Sequence, residues 1–434
     1  MAERHGTASS PDAGSTGSPL HLHGWREPVV IGAALLALAA GFGQFGAVAA
    51  LGDVAKQLGH ITHGATIADQ AGLSGTKVGI GLAVLRLASL VGLPLAGLAD
   101  RFGRRRIMLI TCAIGLAMTA MSAITPSYWW FVAIFALGRP FLSATSGVAQ
   151  VTAAEQTGSS ERAKAIALIA AGYGIGAGLI AIVHSLGAGT LGFRGVVVLA
   201  VIPLVALPFI SRWIVEPDRF KIAAASEDHP LPVLGAIGPR FRRRLLIVAA
   251  LTFAGSVVTG PANSFFFLYA ENVIRLSGLV TALVVACAGV TGLVGLLLGR
   301  FLADEFGRRP TACGAMVALA LLGMLTYSGS RPGAVVGYLL AVLAASVFAP
   351  AAGALANELF PTSVRASVAG WLIAAGVFGA TAGLLAFGAV ADVGNRFGLA
   401  AVIVFAATIP ALALFLLLPE TRGKELEELW SNAR

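Results

Sequence analysis

Asp100-Arg101-Phe102-Gly103-Arg104-Arg105 returns, 204 residues further along, as Asp304-Glu305-Phe306-Gly307-Arg308-Arg309. Each copy follows the second long apolar run of its half of the chain. A second match keeps nearly the same offset. Glu155 and Arg162 stand seven residues apart after the fourth run, and Glu358 and Arg365 stand seven apart after the tenth. Two independent matches at nearly one spacing mark a duplicated chain, a signature of transporter architecture. The loops also make sense singly. An Asp beside several Arg can bond the amides and carbonyls left open where two helices join tightly, and can pair with neighbouring helices. Gly103 and Gly307 allow the sharp turn. Read alone, Arg104, Arg105 and Arg106 fit a mere topology signal equally well; their recurrence favours a specific role.

Outward from these loops, apolar runs cover almost the whole chain, at roughly 27–51, 77–99, 107–124, 127–151, 163–187 and 195–214, then 245–270, 278–302, 311–328, 333–357, 366–391 and 397–418. Each is near the ~20 residues that a bilayer core of ~30 Å requires. Composition agrees: 57% of the 434 residues are hydrophobic and 12% charged, with 54 glycines and a mean hydropathy of +0.85. Soluble domains carry about 25% charged residues, so a soluble globule is excluded. The fold class expected is an all-α polytopic membrane protein of twelve spans. Its parts are a disordered cytoplasmic tail (1–26), an N-terminal six-helix bundle (27–214), a cytoplasmic linker (215–243), a C-terminal six-helix bundle (244–418) and a cytoplasmic C-terminal tail (419–434). The linker is marked by Pro217, Pro230, Pro232 and Pro239 and by Arg240, Arg242, Arg243 and Arg244.

The net charge of +9 follows from topology. With an even number of spans, 21 of the 30 Lys and Arg residues fall on the side of the tails and 6 on the other. The remaining three, Arg86, Arg139 and Arg300, lie in or at the end of spans. This asymmetry places both termini in the cytoplasm and removes any need for nucleic acid. Residues 52–76 form the largest loop on the opposite side and read as a wet connection. Cys112, Cys287 and Cys313 lie in apolar runs without disulfide or metal-ligand spacing. His21 and His23 belong to a solvated tail, so no metal and no cofactor is expected.

Ionisable side chains inside spans cost about 2.5–3.5 kcal/mol on insertion scales and so point to function. Arg86 and Arg139 sit near the middle of the second and fourth runs. They either face a watery cavity and meet an anionic or polar substrate, or are neutralised by helix carbonyls. Gln44 is a polar residue in the first run. Its setting, Gly41-Phe42-Gly43-Gln44-Phe45-Gly46, has dinucleotide-loop spacing but no preceding strand, so close helix packing explains it. In the seventh run Asn263 follows Pro261, which can free a carbonyl and bend the span. Phe265, Phe266 and Phe267 must point in different directions on a helix, and lipid contact is the simplest expectation for most of them. Asp53, His184 and Glu271 near the outer ends of the first, fifth and seventh runs are proton-coupling candidates, although an interfacial histidine bonded to water is the commoner arrangement. Gly172 with Gly176, and Gly174 with Gly178, are overlapping small-residue pairs suited to close helix contact.

These features together resemble the major facilitator superfamily, with a lean toward its sugar-porter and metabolite:proton symporter branches. The resemblance is carried by Leu98-Ala99-Asp100-Arg101-Phe102-Gly103-Arg104-Arg105 and its counterpart, Gly138-Arg139, and Glu155 with Arg162. Asn357-Glu358-Leu359-Phe360-Pro361-Thr362-Ser363-Val364-Arg365-Ala366 and Pro419-Glu420-Thr421-Arg422-Gly423-Lys424-Glu425-Leu426-Glu427 add to it. It implies two pseudo-symmetric six-helix bundles around a cavity that opens alternately to either side. It further implies that Asp100, Arg104, Asp304, Arg308, Glu155, Arg162, Glu358, Arg365 and Glu420 form a cytoplasmic gate of ion pairs, and that Arg139 belongs to a proton or substrate relay. Several positions depart from the family pattern. Arg300 occupies the place of a small residue, with Gly299 one earlier, and Glu305 that of a basic one. Gln44 stands where proton-coupled relatives carry an acid, and the seventh span lacks the Gln-rich pattern of sugar porters.

No serine nucleophile elbow, paired-His zinc motif or phosphate loop occurs in a suitable context, which argues against an enzyme. The expectation is a monomeric secondary transporter of the plasma membrane, partnered by lipid bilayer and a small polar organic solute. A sugar or carboxylated metabolite moved by proton symport fits, as does an efflux antiporter. A non-transporting sensor fits less well, since the tail and linker are short for a signalling domain.

Overall fold

The computed structural model describes residues 24–59, 72–157, 161–187, 192–216, 235, 237–393, 396–424 and 429–430. Among them the chain is helical, with no extended strand. A lipid solvent imposes this, because backbone groups without water must bond within their own segment. Among the described residues twelve helices are long and apolar enough to cross a bilayer. In the first half these are α1 Pro28–Gly46, α2 Gly75–Phe102, α3 Arg104–Ile124, α4 Tyr128–Gln156, α5 Lys164–His184 and α6 Gly192–Ile210. In the second they are α7 Pro239–Ser264, α8 Gly278–Phe306, α9 Arg308–Thr326, α10 Arg331–Leu359, α11 Ser367–Asp392 and α12 Phe397–Leu417. Residues 1–23 and 217–234 lie outside the described set. Since α7 begins at Pro239, Arg240, Arg242 and Arg243 wind onto its first two turns.

Glycine lets the helices within each half approach closely. A Cβ on Gly172 would lie 2.5 Å from the Ala34 carbonyl oxygen and one on Gly176 2.0 Å from that of Leu38, so α5 lies against α1. In the second half α11 lies against α7 in the same way, with Gly379 and Gly383 over the carbonyls of Phe253 and Val257. Gly174 and Gly178 meet open space, so one of the two overlapping glycine pairs is a packing stripe.

The halves meet where α2 packs on α11 and α5 on α8, two contacts that the repeat interchanges. One apolar core draws on both halves, including Phe131 and Phe193 from the first and Phe265 and Phe387 from the second. It lies toward the face remote from the Arg-rich loops, here termed the far face. At the near face each half keeps its own core. Asp392, at the far end of α11, closes the far face further. Its carboxylate accepts from the Thr76 amide at 2.8 Å and from the Gly75 amide and Thr76 hydroxyl at the start of α2, where the helix dipole favours an anion.

The three phenylalanines correct the lipid-facing expectation, for all are buried. Helix α7 ends at Ser264 and the chain passes through a short turn, Phe266–Leu268, into a π-helical turn, Tyr269–Val273. Phe265 packs on Phe387 at 5.0 Å, Phe266 stacks on Tyr338 at 3.8 Å, and Phe267 meets Phe45 of the other half edge-on at 6.0 Å. The span runs between the halves, so each of the three directions ends in protein. The Pro261 and Ala262 carbonyls accept from the Tyr327 hydroxyl, both at 3.1 Å.

Candidate functional site

A cavity of about 210 Å³ lies between the halves, lined by Gln44 and Phe45 of α1, Arg86 of α2, Arg139 of α4, Tyr173 of α5, and Asn263 and Ser264 of α7, with Val48 and Ala177. It brings together Gln44, Arg86, Arg139 and Asn263, residues spread over more than half of the sequence. No carboxylate is among its described lining residues. The two arginines are held differently. Arg139 donates through Nε to Ser89 Oγ at 3.1 Å and through Nη1 to the Gln44 carbonyl oxygen at 3.1 Å. The Ser89 hydroxyl is oriented by donating to the Leu85 carbonyl at 3.2 Å. A short 3-10 turn at Ser89–Val91 interrupts α2 here, and Gly92 brings it against α4, where a Cβ would lie 2.9 Å from the Pro140 carbonyl oxygen. Arg86, one turn earlier, has no hydrogen-bond or ion-pair partner among the described residues and lines the cavity with its donors open.

Sequence reasoning missed Tyr173 and Tyr338. The Tyr173 hydroxyl points to Gln44 Oε1 at 3.4 Å. The Tyr338 hydroxyl donates to Asn263 Oδ1 at 3.3 Å, while Asn263 Nδ2 donates to the Thr259 carbonyl at 2.9 Å. Asn263 is thereby fixed from two sides. Tyrosines are common core residues, and nothing in the local sequence separates these two from the rest.

At the far face Asp53, His184 and Glu271 fall into one neighbourhood. His184 Nε2 lies 2.9 Å from Asp53 Oδ2, with the ring fully enclosed. Asp53 sits on a short helix, Leu51–Leu58, so it belongs to a packed element, contrary to the wet connection expected. Glu271 arrives from the second half on the π-helical turn. Burial pushes its carboxyl above the ordinary value; nearby His184 opposes this, Asp53 adds to it and Lys56 opposes it.

At the near face the duplicated loops turn at Gly103 and Gly307, with φ of 96° and 108°, in the region that favours glycine. Arg104 joins Asp100 at 2.9 Å and grips Glu155 with two donors, Nη2 to Oε1 at 2.6 Å. Arg308 repeats this more loosely, 3.2 Å from Asp304 and 3.3 Å from Glu358. Glu420 serves as a helix cap, accepting from the Arg308 and Arg309 amides at 2.9 and 3.0 Å. Glu216 caps the Arg104 and Arg105 amides at 2.5 and 3.1 Å. It was missed from the sequence, although Glu216 and Glu420 are themselves 204 residues apart. Arg365 donates to the Phe360 carbonyl at 3.4 Å, so the structure places it on its own loop's backbone. The side chain of Arg162 lies outside the described set. The ion pairs found here join helices within one half, where the resemblance implied a gate.

The family described as Major Facilitator Superfamily matches residues 33–302, more than half of the chain. The chain belongs to the Major Facilitator Superfamily. It is a multi-pass membrane transporter and not an enzyme. Residues 221–432 also match the family described as Sugar (and other) transporter. Among relatives within the superfamily, a probable 4-methylmuconolactone transporter of Cupriavidus pinatubonensis is 27% identical over 82% of this chain and 85% of its own length. The 3-(3-hydroxy-phenyl)propionate transporter of Escherichia coli is 27% identical over 74% and 79%. In fold the chain is similar to the inward-open xylose transporter XylE from Escherichia coli, with a TM-score of 0.71, 21% identity and 94% and 99% coverage. The nucleoside transporter NupG superposes with a TM-score of 0.72 at 14% identity, covering 90% and 99%.

Proposed function

We propose that this chain imports a small ring-bearing carboxylate across the plasma membrane by alternating access and proton symport, with both termini in the cytoplasm. The observation that carries the substrate class is Arg86. It is a cation with open donors beside a second guanidinium, in a cavity with no carboxylate among its described lining residues. An unpaired charge partly enclosed between the halves favours a counter-ion, and a planar carboxylate matches the guanidinium fork. Phe45, Val48 and Ala177 supply an apolar wall, and Tyr173 and Asn263 offer hydrogen bonds to a ring substituent. The cavity is smaller than the ~300–1,000 Å³ typical of drug-sized ligands, which suits a single ring. The names of the two relatives describe ring compounds bearing a lactone or carboxylate, in keeping with this reading.

A neutral sugar is the second reading, favoured by the match to the Sugar (and other) transporter family over 221–432. It would leave Arg86 without a counter-charge. Purified protein in sealed vesicles, given labelled 3-(3-hydroxyphenyl)propionate and an inward proton gradient, separates the two. Accumulation that is saturable, competed by other ring carboxylates and indifferent to xylose is the expected result. Competition by xylose alone selects the sugar, and uptake that survives unchanged in Arg86→Gln removes the carboxylate site.

A further inference from the structure

We propose that Glu271, His184 and Asp53 form a proton-binding site between the two halves, and that a proton held there latches the far face shut. This deepens the proton-driven part of the reading above and does not depend on the substrate class. Three observations carry it. First, the site spans the moving interface: Asp53 and His184 belong to the first half and Glu271 to the second. Second, Val48, Ala181 and Phe267, which lie about one turn before Asp53, His184 and Glu271 on their respective segments, pack together as one apolar cluster drawn from both halves. Third, two of its polar atoms, His184 Nδ1 and Glu271 Oε1, are buried without a hydrogen-bond partner, as is Asn272 Nδ2 beside them.

The charges around the site fix the sign. Lys56 shares the short helix with Asp53, and Arg194 of α6 is turned away to the Thr125 carbonyl at 3.2 Å. The part of α8 that packs on α5, from Gly278 to Gly299, carries no charged residue, and neither does α1 from Gly41 to Gly46. An ionised Glu271 would therefore be buried near the carboxylate of Asp53, which works against it, with Lys56 and the His184 ring acting the other way. Neutral Glu271 fits the closed far face, and the ionised form fits one opened to water. Burial pushes the carboxyl up in this closed state. Closure is thus favoured fully below the carboxyl's value in the open state, and that support is lost as pH rises through its closed-state value. Protons arriving from outside would drive the outward-open form shut, which is the direction an importer powered by external protons needs.

The test needs no substrate. Spin labels are placed at the far ends of the two halves through Ile124→Cys and Arg331→Cys, exposed positions remote from the site, in a full chain with Cys287→Ser and Cys313→Ser. Interlabel distances are then measured in lipid nanodiscs across a pH series. The closed distance should dominate at low pH, with a longer population growing as pH rises. Glu271→Gln, which is permanently neutral, should hold the closed distance throughout; Glu271→Ala serves the same purpose if the Gln variant does not fold. A wild-type distance indifferent to pH, or a pH response that survives loss of the Glu271 carboxyl, overturns the proposal. Failure of carboxylate uptake in vesicles, with the pH response intact, would instead count against the substrate reading alone.

Discussion

The two halves are one plan built twice and loaded unequally. Both turn their second loop at a glycine with positive φ, both cap the following helix with a glutamate 112 residues downstream, and both press glycines onto a carbonyl ridge. Yet the first half holds Arg104 with a two-donor grip on Glu155, while Arg308 stands 3.3 Å from Glu358. The first half also brings both arginines to the cavity, and the second brings Asn263. Packing has stayed symmetric and charge has not. For a carrier this division is economical: symmetric packing preserves two alternative closures, while an asymmetric cavity gives the solute one orientation.

The largest effect should come from the cavity. Arg86→Gln removes a charge-assisted bond, worth ~1.5–3 kcal/mol, and should weaken carboxylate binding roughly 100-fold. Asn263→Ala removes a neutral one and should weaken it about fivefold. Isothermal titration in detergent measures both, and equal losses would erase the asymmetry between the halves. Next come the near-face clusters. Glu155→Gln leaves Arg104, whose side chain is 10% exposed, without its main partner. Breaking a buried pair costs ~3–5 kcal/mol. Partial exposure of Glu155 reduces that to about 2 kcal/mol. Glu358→Gln, at the looser site, should cost about 0.5–1 kcal/mol. Melting curves that rank the two in reverse would contradict the distances.

The glycines sharpen the symmetric side of the comparison. Gly176→Ala and Gly379→Ala would place a Cβ 2.0 and 2.2 Å from the carbonyl oxygens of Leu38 and Phe253. Each should destabilise by about 1–3 kcal/mol, and by similar amounts, since the repeat has kept the contact. Gly174→Ala meets nothing within 4 Å and should be neutral or stabilising by up to ~1 kcal/mol through helix propensity. Unequal costs at 176 and 379, read from melting midpoints, would show that packing too has diverged.

Much of this was legible in the sequence, for identifiable reasons. Spans follow from apolar length, and the duplication from Asp100 and Asp304 at a fixed offset. Candidates inside spans announce themselves by their cost, so Arg86, Arg139 and Gln44 could be singled out one by one. Their meeting with Asn263 could not, because no local pattern encodes a contact between residues of different halves. The same holds for His184 and Asp53, 131 residues apart. Glu216 was hidden because the dipeptide order is reversed, Glu216-Pro217 against Pro419-Glu420; a search by offset in place of motif would have found it. The phenylalanines misled because a helical wheel assumes a lipid side, and the end of α7 has none.

The smallest effect concerns those capping glutamates. Burial works against ionisation of Glu420, but four amide donors outweigh it, from Arg422, Arg308, Arg309 and Thr421, and hold its carboxyl below the usual range. A depressed value in the folded state means that the stabilisation is present above the unfolded value and disappears as pH falls through the folded one. An anion at a helix start contributes roughly 0.3–1 kcal/mol. Glu420→Gln should therefore lower the melting midpoint slightly at neutral pH and leave it unchanged at the acid end, where the native carboxyl is itself protonated. Glu216 accepts from the equivalent amides of Arg104 and Arg105, so the cap itself is part of the symmetric plan. A midpoint difference that persists to low pH in Glu420→Gln would mean that shape, not charge, is what the cap contributes.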